Sequence, residues 1–456
     1  MAGKLRLRVT GGPRAGKVFV FDQHDTLLVG RMTDCHVCLP DDPHVSRHHF
    51  LLEVNPPDAR LRDLGSLAGT YVNGQKYGGR QRHETPEEGA RHVYPQVDLH
   101  DGDEIKVGRT MFQVYVEAPV QLPIRVYCGR CHKDVSNEVN SARQGEYICE
   151  QCQRYLEKEP QALLAVALDP EVARIQQAIR LADYDIGEQI GVGGMGAVYL
   201  VKHKKTGEQA AIKVLLSKVQ VDDLARGQFL REIETTRRLR HPYIVQFLGS
   251  GAAGSIFYIL LEYCAGGSVA HLMRQRGGRL SLGEARPILL QALEGLAYVH
   301  AEGFVHRDLK PQNILLSGSP GQWVARISDL GLAKSFEQSG LSGMTATGDV
   351  SGSFPFMPRE QLVNFKHVRP VCDIWAMGAT CYNILTGTLP RSQQPEQDPI
   401  EAILRNEIIP LRQRAPHIPA QIAGVIDRAL ATIERDRYQH AGEMYEALMH
   451  AFAQTD

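Results

Sequence analysis

The 456-residue sequence predicts a multidomain chain: an all-β sandwich, then a small four-cysteine module, then an α+β domain. Three observations carry this. Short alternating strands fill residues 5–117 with almost no helix signal. Two C-x2-C pairs follow, separated by seventeen residues. From Tyr184 the pattern changes to glycine-punctuated strands and then to helix-like segments such as 284–302. About three domains is what this length allows at ordinary domain sizes. The expected boundaries are 1–119, 120–158 and 184–456, with 159–183 as a helical linker.

Composition narrows the function classes. Lys+Arg 51 against Asp+Glu 52 leaves a formal charge of −1, so no global basic excess points to nucleic acid. The longest apolar runs, such as 162–168, fall well short of the roughly 20 residues of a membrane span. The N-terminus alternates like a strand and lacks the apolar core of a signal peptide. A soluble, cytoplasmic protein with no membrane partner is expected. Nine cysteines, an odd number unevenly spread, do not suggest a disulfide framework.

In the first domain Leu5, Leu7 and Val9 alternate before Gly11-Gly12-Pro13 turns the chain into 17–21. Further strands are expected at 26–30, 36–39, 48–54, 70–72 and 104–116, with 75–98 a polar surface insertion. Gly30-Arg31, Ser46-Arg47-His48-His49, Gly69-Thr70-Tyr71-Val72-Asn73-Gly74 and Asp101-Gly102-Asp103 follow in order. This set resembles a forkhead-associated (FHA) domain over nearly all of 5–117. The resemblance implies phosphothreonine-peptide binding by loops at one end of the sandwich. Arg31 and Ser46 would contact phosphate with Arg47 beside them, and His49 and Asn73 would be architectural. Guanidinium and hydroxyl donors suit that role, because they make short charge-assisted bonds to phosphate oxygens. Leu67 and Ala68 depart from the polar residues usual before the Gly-Thr, which removes an Asn that helps hold the peptide backbone. Cys35 and Cys38 fall in an apparent strand with no second pair nearby, and read as core packing.

Cys128, Cys131, Cys149 and Cys152 have the spacing of a zinc site. Four thiolates close a tetrahedral ion with no open position, so the expected role is structural. A segment this short buries little core without such a staple. A thiol redox switch and four unconnected thiols are the other readings. The segment resembles a zinc ribbon. Its basic residues, Arg125, Arg130, Lys133, Arg143 and Arg154, are offset by Asp134, Glu138, Glu146 and Glu150, which argues against a nucleic-acid partner. Apolar residues from Leu163 to Leu181 recur at helical spacing, with a break at Pro170.

The chemistry concentrates in His306-Arg307-Asp308-Leu309-Lys310-Pro311-Gln312-Asn313. Phosphoryl transfer to a hydroxyl needs a carboxylate to orient the attacking oxygen, a cation near the phosphate and an oxygen ligand for a metal. The string is similar to the catalytic loop of protein kinases, and the other parts of that family appear in order. Gly191-Val192-Gly193-Gly194-Met195-Gly196-Ala197-Val198 continues into a strand-like stretch, as a kinase phosphate-covering loop does and a dinucleotide fold does not. Ala211, Lys213, Glu262 and Cys264 fall on the nucleotide-lining, phosphate-pairing and hinge positions, and Leu261 guards the back of the pocket. Glu232, nineteen residues past Lys213, is the implied partner of that lysine.

The resemblance implies a bilobal fold and an ATP- and Mg2+-dependent (or Mn2+-dependent) Ser/Thr kinase. Asp308 would be its catalytic carboxylate, Lys310 the γ-phosphate cation, and Asn313 and Asp329 the metal ligands. Asp329-Leu330-Gly331 stands for Asp-Phe-Gly, and Pro358-Arg359-Glu360 for Ala-Pro-Glu. Arg437 is the implied buried partner of Glu360, and Asp373 the brace of the catalytic-loop backbone. Thr345 and Thr347 match autophosphorylation sites, and Arg307 a reader of such a phosphate. The expected partners are protein substrates, phosphothreonine proteins through the FHA domain, and the chain itself in trans. The competing expectation is an FHA-containing pseudokinase scaffold. Retention of Lys213, Glu232, Asp308, Asn313 and Asp329 argues against it.

Overall fold

The computed structural model describes residues 4–81, 83–84, 92, 94–117, 126–136, 138, 147–158, 183–193, 196–216, 230, 233, 236–253, 256–330, 354–363, 368–391 and 399–455. The N-terminal unit is a two-sheet β-sandwich. Its strands are β1 (Lys4–Gly11), β2 (Val18–Phe21), β3 (Asp25–Gly30), β4 (Val37–Cys38), β5 (Phe50–Asn55), β6 (Asp58–Asp63), β7 (Thr70–Val72), β8 (Gln75–Lys76), β9 (Gln96–Leu99), β10 (Glu104–Val107) and β11 (Thr110–Glu117). One sheet runs β2-β1-β11-β10-β7-β8 and the other β4-β3-β5-β6-β9.

The alternation read at the start of the chain decides the packing. Leu5, Leu7 and Val9 pair with Val116, Val114 and Phe112, and all lie in or against the sandwich core. Three strands were not anticipated. β6 turns back along β5, and β9 lies at the end of the stretch expected to be loop. Its Val97 is partly buried against the core, which makes the end of a polar segment a strand. Gln75 and Lys76 likewise form β8 rather than loop.

The four-cysteine module consists of short bridges and one helix, α1 (Glu150–Lys158), which begins directly after Cys149 and carries Cys152. The expected helical linker at 159–183 lies outside the described residues except for Asp183. Beyond it comes a five-stranded antiparallel sheet of order β12-β13-β14-β16-β15. Its strands are β12 (Tyr184–Gly193), β13 (Gly196–His203), β14 (Gln209–Leu216), β15 (Phe247–Ala253) and β16 (Ile256–Glu262). The helical lobe follows, with α2 (Val269–Gln275), α3 (Leu282–Ala301), the β17–β18 hairpin (Ile314–Ser319 and Gln322–Ile327) and α4 (Arg359–Val363). It ends with α5 (Pro370–Thr386), α6 (Pro399–Arg405), α7 (Leu411–Arg414), α8 (Ala420–Ala429) and α9 (Ala441–Ala453). Ser281 caps α3 with a reciprocal bond to Glu284, which starts the helix two residues before the expected 284. Buried α5, with Trp375 fully enclosed, is the centre of the lobe's single large core.

The modules share cores. Cys128, Val135, Tyr147, Ile148, Cys149 and Cys152 form one buried cluster with Ala197, Tyr199, Val201, Ala210, Ile212 and Val214. The small module therefore borrows its apolar interior from the outer face of the five-stranded sheet. Period-two alternation along β13 and β14 makes this possible, because it leaves Lys213 for the opposite face. The sandwich is joined to the helical lobe by a second cluster of Leu28, Cys35 and Leu51 with Phe354, Met357, Leu362, Ile400 and Ile403. Burial in that cluster is the role of Cys35, in line with its reading as a core residue.

Tyr147→Ala, which truncates a buried ring in the first shared core, should destabilise the chain by about 3 kcal/mol. It should also speed amide exchange along β14. Unchanged exchange between Ala210 and Val214 would show that module and sheet do not share a core.

Candidate active site and phosphate-binding loops

The loop at 306–313 is held from below by one carboxylate. Asp373, on the first turn of α5, accepts the backbone N–H of His306 at 2.7 Å and of Arg307 at 2.8 Å. His300 at the end of α3 approaches the same carboxylate at 2.9 Å. The bracing expected of Asp373 is thus observed. Arg307 takes a left-handed conformation (φ 68°), and its carbonyl accepts from Gln361 Nε2 at 2.7 Å. His306 is fully buried and bonds the Ser328 carbonyl at 2.9 Å, which ties the loop to the residue before Asp329.

The loop brings its chemical groups together. Lys310 Nζ lies 2.9 Å from Asp308 Oδ2. Asn313 Nδ2 donates to the Asp308 carbonyl at 2.8 Å and to Oδ2 at 2.9 Å. With the amide hydrogens directed at Asp308, the oxygen is the atom Asn313 offers a cation. Across the cleft, Lys213 Nζ lies 2.9 Å from Asp329 Oδ1, and Asp329 has a left-handed φ of 58°. Residues 116 apart in sequence are joined here.

The expected partner of Lys213 was Glu232. That residue lies outside the described residues, as do Gly194, Met195, Thr345 and Thr347. Gly191, Val192 and Gly193 end β12, and Gly196 and Val198 begin β13, so the glycine-rich turn joins two strands as expected. A Cβ on Gly196 would come within 1.8 Å of the Val214 carbonyl oxygen, which reserves that position for glycine. Val198 pairs with Lys213, Ala211 with Leu261, and Glu262 ends β16 two residues before buried Cys264. Burial raises the Cys264 thiol to about 12, so it is a neutral group. Glu360 and Arg437 form the expected ion pair, with a second contact of 3.2 Å and Arg437 1% exposed.

In the sandwich, Gly30 lets β3 approach the loop that carries Ser46 and Arg47. A Cβ there would stand 2.3 Å from the Arg47 carbonyl oxygen. The Arg31 N–H bonds the Ser46 and Arg47 carbonyls, each at 3.0 Å, so Arg31, Ser46 and Arg47 share one rim. Buried His49 accepts from the Ser46 N–H at 3.0 Å and donates to the Gly69 carbonyl at 3.2 Å. Burial lowers its pKa, which keeps it in the neutral form this pairing needs. Asn73 bonds Asp103 at 2.8 Å and the Glu104 N–H at 2.9 Å, the architectural role expected of it.

The four cysteine sulfurs all lie within 4.8 Å of one another. Cys131 Sγ and Cys149 Sγ are 3.7 Å apart, far from a disulfide and close to the edge of about 3.8 Å that a tetrahedron of Zn–S bonds requires. The Arg130 and Cys149 N–H groups point at Cys128 Sγ from 3.4 and 3.3 Å. Burial opposes ionisation of Cys128, but backbone N–H groups outweigh it and lower the thiol to about 6. Burial first, and the neighbouring sulfurs after it, raise the Cys149 and Cys152 thiols.

These two lobes, with their loop of carboxylate, amine and carboxamide facing a lysine–aspartate pair, define a protein kinase fold. The protein kinase domain family matches residues 184–453, and the FHA domain family matches 27–108. The chain belongs to the protein kinase family and carries an FHA domain. It is similar to the serine/threonine-protein kinase pkn2 of Myxococcus xanthus, 31% identical over 265 residues, which are 58% of this chain and 31% of that protein. It is also similar to the serine/threonine-protein kinase PknB of Mycobacterium tuberculosis, 30% identical over 265 residues, 57% of this chain and 41% of that protein. The chain thus spans well under half of these curated relatives. The Mycobacterium tuberculosis PknI kinase domain structure aligns with 61% of this chain and 99% of its own, at 27% identity and a TM-score of 0.46.

Asp373→Ala should leave two backbone N–H groups of the loop without their acceptor. A loss of about 3 kcal/mol by denaturant titration is expected, with faster exchange at His306 and Arg307. A loss below about 0.5 kcal/mol would mean the carboxylate does not hold the loop.

Proposed function

We propose that the chain is an active serine/threonine protein kinase that moves the γ-phosphate of ATP to Ser/Thr hydroxyls of proteins. The observation that carries this reading is the pairing of Lys213 with Asp329 opposite the Asp308–Lys310–Asn313 cluster. A pseudokinase scaffold needs none of these contacts. Asp308 orients the attacking hydroxyl and accepts its proton. Lys310, 2.9 Å from that carboxylate, lies where it neutralises the transferred group. Lys213 pairs with the nucleotide's phosphates, and the β12–β13 turn covers them. Asp329 and Asn313 supply the oxygen donors that suit a hard divalent cation. That cation, when bound, neutralises charge on the phosphates. Ala211, Glu262 and Cys264 line the nucleotide's base.

The second half of the reading concerns regulation and recruitment. The FHA loops with Arg31, Ser46 and Arg47 bind phosphothreonine segments of partner proteins, and Thr345 and Thr347 are sites of autophosphorylation. The four cysteines hold one structural Zn2+, as in a zinc ribbon; sulfur spacing and N–H donation to Cys128 support this. No helix among the described residues is long and apolar enough to cross a membrane. The cytoplasm is the compartment proposed, one in which unpaired thiols persist.

Incubation with Mg2+ and radiolabelled ATP should label a protein substrate. Asp308→Asn should lower the rate roughly 100- to 10,000-fold, the usual share of a positioned proton acceptor. Equal incorporation by both proteins would sink the assignment. Elemental analysis should return one zinc per chain, falling to none in Cys149→Ser. Iron or no metal in the intact protein would reject the zinc reading.

A further inference from the structure

The four-cysteine module covers the back of the sheet whose front carries Lys213. Along β14, Ile212 and Val214 are fully buried against the module, while Lys213 between them reaches Asp329 on the opposite side. The neighbouring strand repeats the division. On β16, Ile256, Tyr258 and Leu260 join the module's cluster. Phe257 and Ile259 join Leu215 in a separate core, and Ile259 pairs directly with Lys213.

The cysteines themselves are part of this cover. Cys128 is 0% exposed, Cys149 1% and Cys152 6%, and all three belong to the shared cluster. Tyr147 and Ile148, the buried side chains that pack beside them, directly precede Cys149. The Gly129 N–H bonds the Tyr147 carbonyl at 2.8 Å, so the two cysteine turns are tied together next to those side chains. Cys131 is the exposed member of the four, with its sulfur 3.7 Å from that of Cys149. The groups that would hold an ion and the groups that pack on the sheet are therefore the same residues or their direct neighbours.

We propose that metal occupancy of the four cysteines sets the affinity of the small lobe for nucleotide, through the shared core behind β14. This coupling rests on the zinc and nucleotide readings above and adds a link between the two sites. The two-state element is the module, because a segment this short draws its folding free energy from the metal. Without the ion, Tyr147 and Ile148 lose their fixed positions, and Ile212 and Val214 lose their cover. Strand β14 then no longer holds Ala211 and Lys213 in one rigid surface with Val198 beside them. A coupling free energy is reciprocal, so bound nucleotide strengthens the hold on the ion by the same factor.

The test uses the full chain and a fluorescent, non-hydrolysable ATP analogue with Mg2+. Anisotropy gives its affinity for the zinc-loaded chain, for the chain stripped by a zinc-selective chelator that spares Mg2+, and after return of zinc. Stripping should weaken binding about tenfold, and return of zinc should restore it. Because Cys131 lies outside the core, it is the ligand to change without altering the packing. Cys131→Ser should bind the analogue as the stripped chain does. Cys131→His, which supplies a fourth zinc ligand again, should bind it as the loaded chain does. A second measurement starts from the folded, loaded chain and so stands even where the stripped chain unfolds. Zinc transfer to a chromogenic chelator at equilibrium should be about tenfold less favourable with saturating analogue than without it. Equal transfer with and without analogue, or equal analogue affinity of loaded and stripped chains, overturns the coupling and leaves both readings standing. A purified chain without zinc overturns the zinc reading and the coupling together. A zinc-loaded chain that binds no analogue overturns the nucleotide reading and the coupling with it.

Discussion

Asp373 is 1% exposed, and its carboxylate is shared by two backbone N–H groups and His300. A buried carboxylate is costly unless each oxygen finds donors, and here the donors are the backbone of the loop itself. The same bonds that make the burial tolerable hold the loop in its shape. Because α5 is buried along most of its length, the carboxylate cannot shift without disturbing the core. Asp308, Lys310 and Asn313 then need no individual support, since a fixed backbone brings all three to one place. The arrangement is held by the fold before any ligand arrives.

The other modules are built on the same economy of shared surfaces. A four-cysteine segment of this size cannot enclose an apolar interior, and the sheet of the small lobe would otherwise expose Tyr199, Ile212 and Val214. Each covers the other. Lys213 turns toward Asp329 because its neighbours Ile212 and Val214 turn toward the cysteines. The side that packs on the four cysteines and the side that carries Lys213 toward Asp329 are opposite faces of one strand.

Much of this was legible in the sequence, where local pattern and local function coincide. The alternation of Leu5, Leu7 and Val9 and the cysteine spacing depend on neighbours in the chain. So does the 306–313 string. Strand β9 was missed because its residues, Gln-Val-Asp-Leu, have only a weak alternation and follow a long polar stretch. Only pairing with β6 makes them a strand. The shared cores were also invisible. Tyr147 and Ile212, or Leu28 and Ile400, are ordinary apolar residues in separate units, and nothing in either unit's pattern names the other as its cover. The pairing of Lys213 with Asp329 was a different case, since each had been assigned a phosphate or metal contact and the link between them emerged only in space.

The departure at Pro358-Arg359-Glu360 is explained by the same reasoning. Three consecutive residues of α4 reach three different bodies. Arg359 pairs with Asp34 of the FHA domain, Glu360 with buried Arg437, and Gln361 with the Arg307 carbonyl of the 306–313 loop. Proline at position 359 would present no guanidinium to Asp34, and the sandwich would lose its one charged tie to this helix among the described residues. Burial alone would raise the Asp34 pKa, yet His48 and Arg359 beside it hold it below the ordinary carboxylate value, so the acid is ionised and the tie charged at neutral pH. In a five-residue helix these neighbours cannot move independently, since one turn of backbone carries all three. The substitution therefore exchanges a local turn preference for a contact between domains, and places that contact two residues from the one that touches the 306–313 loop.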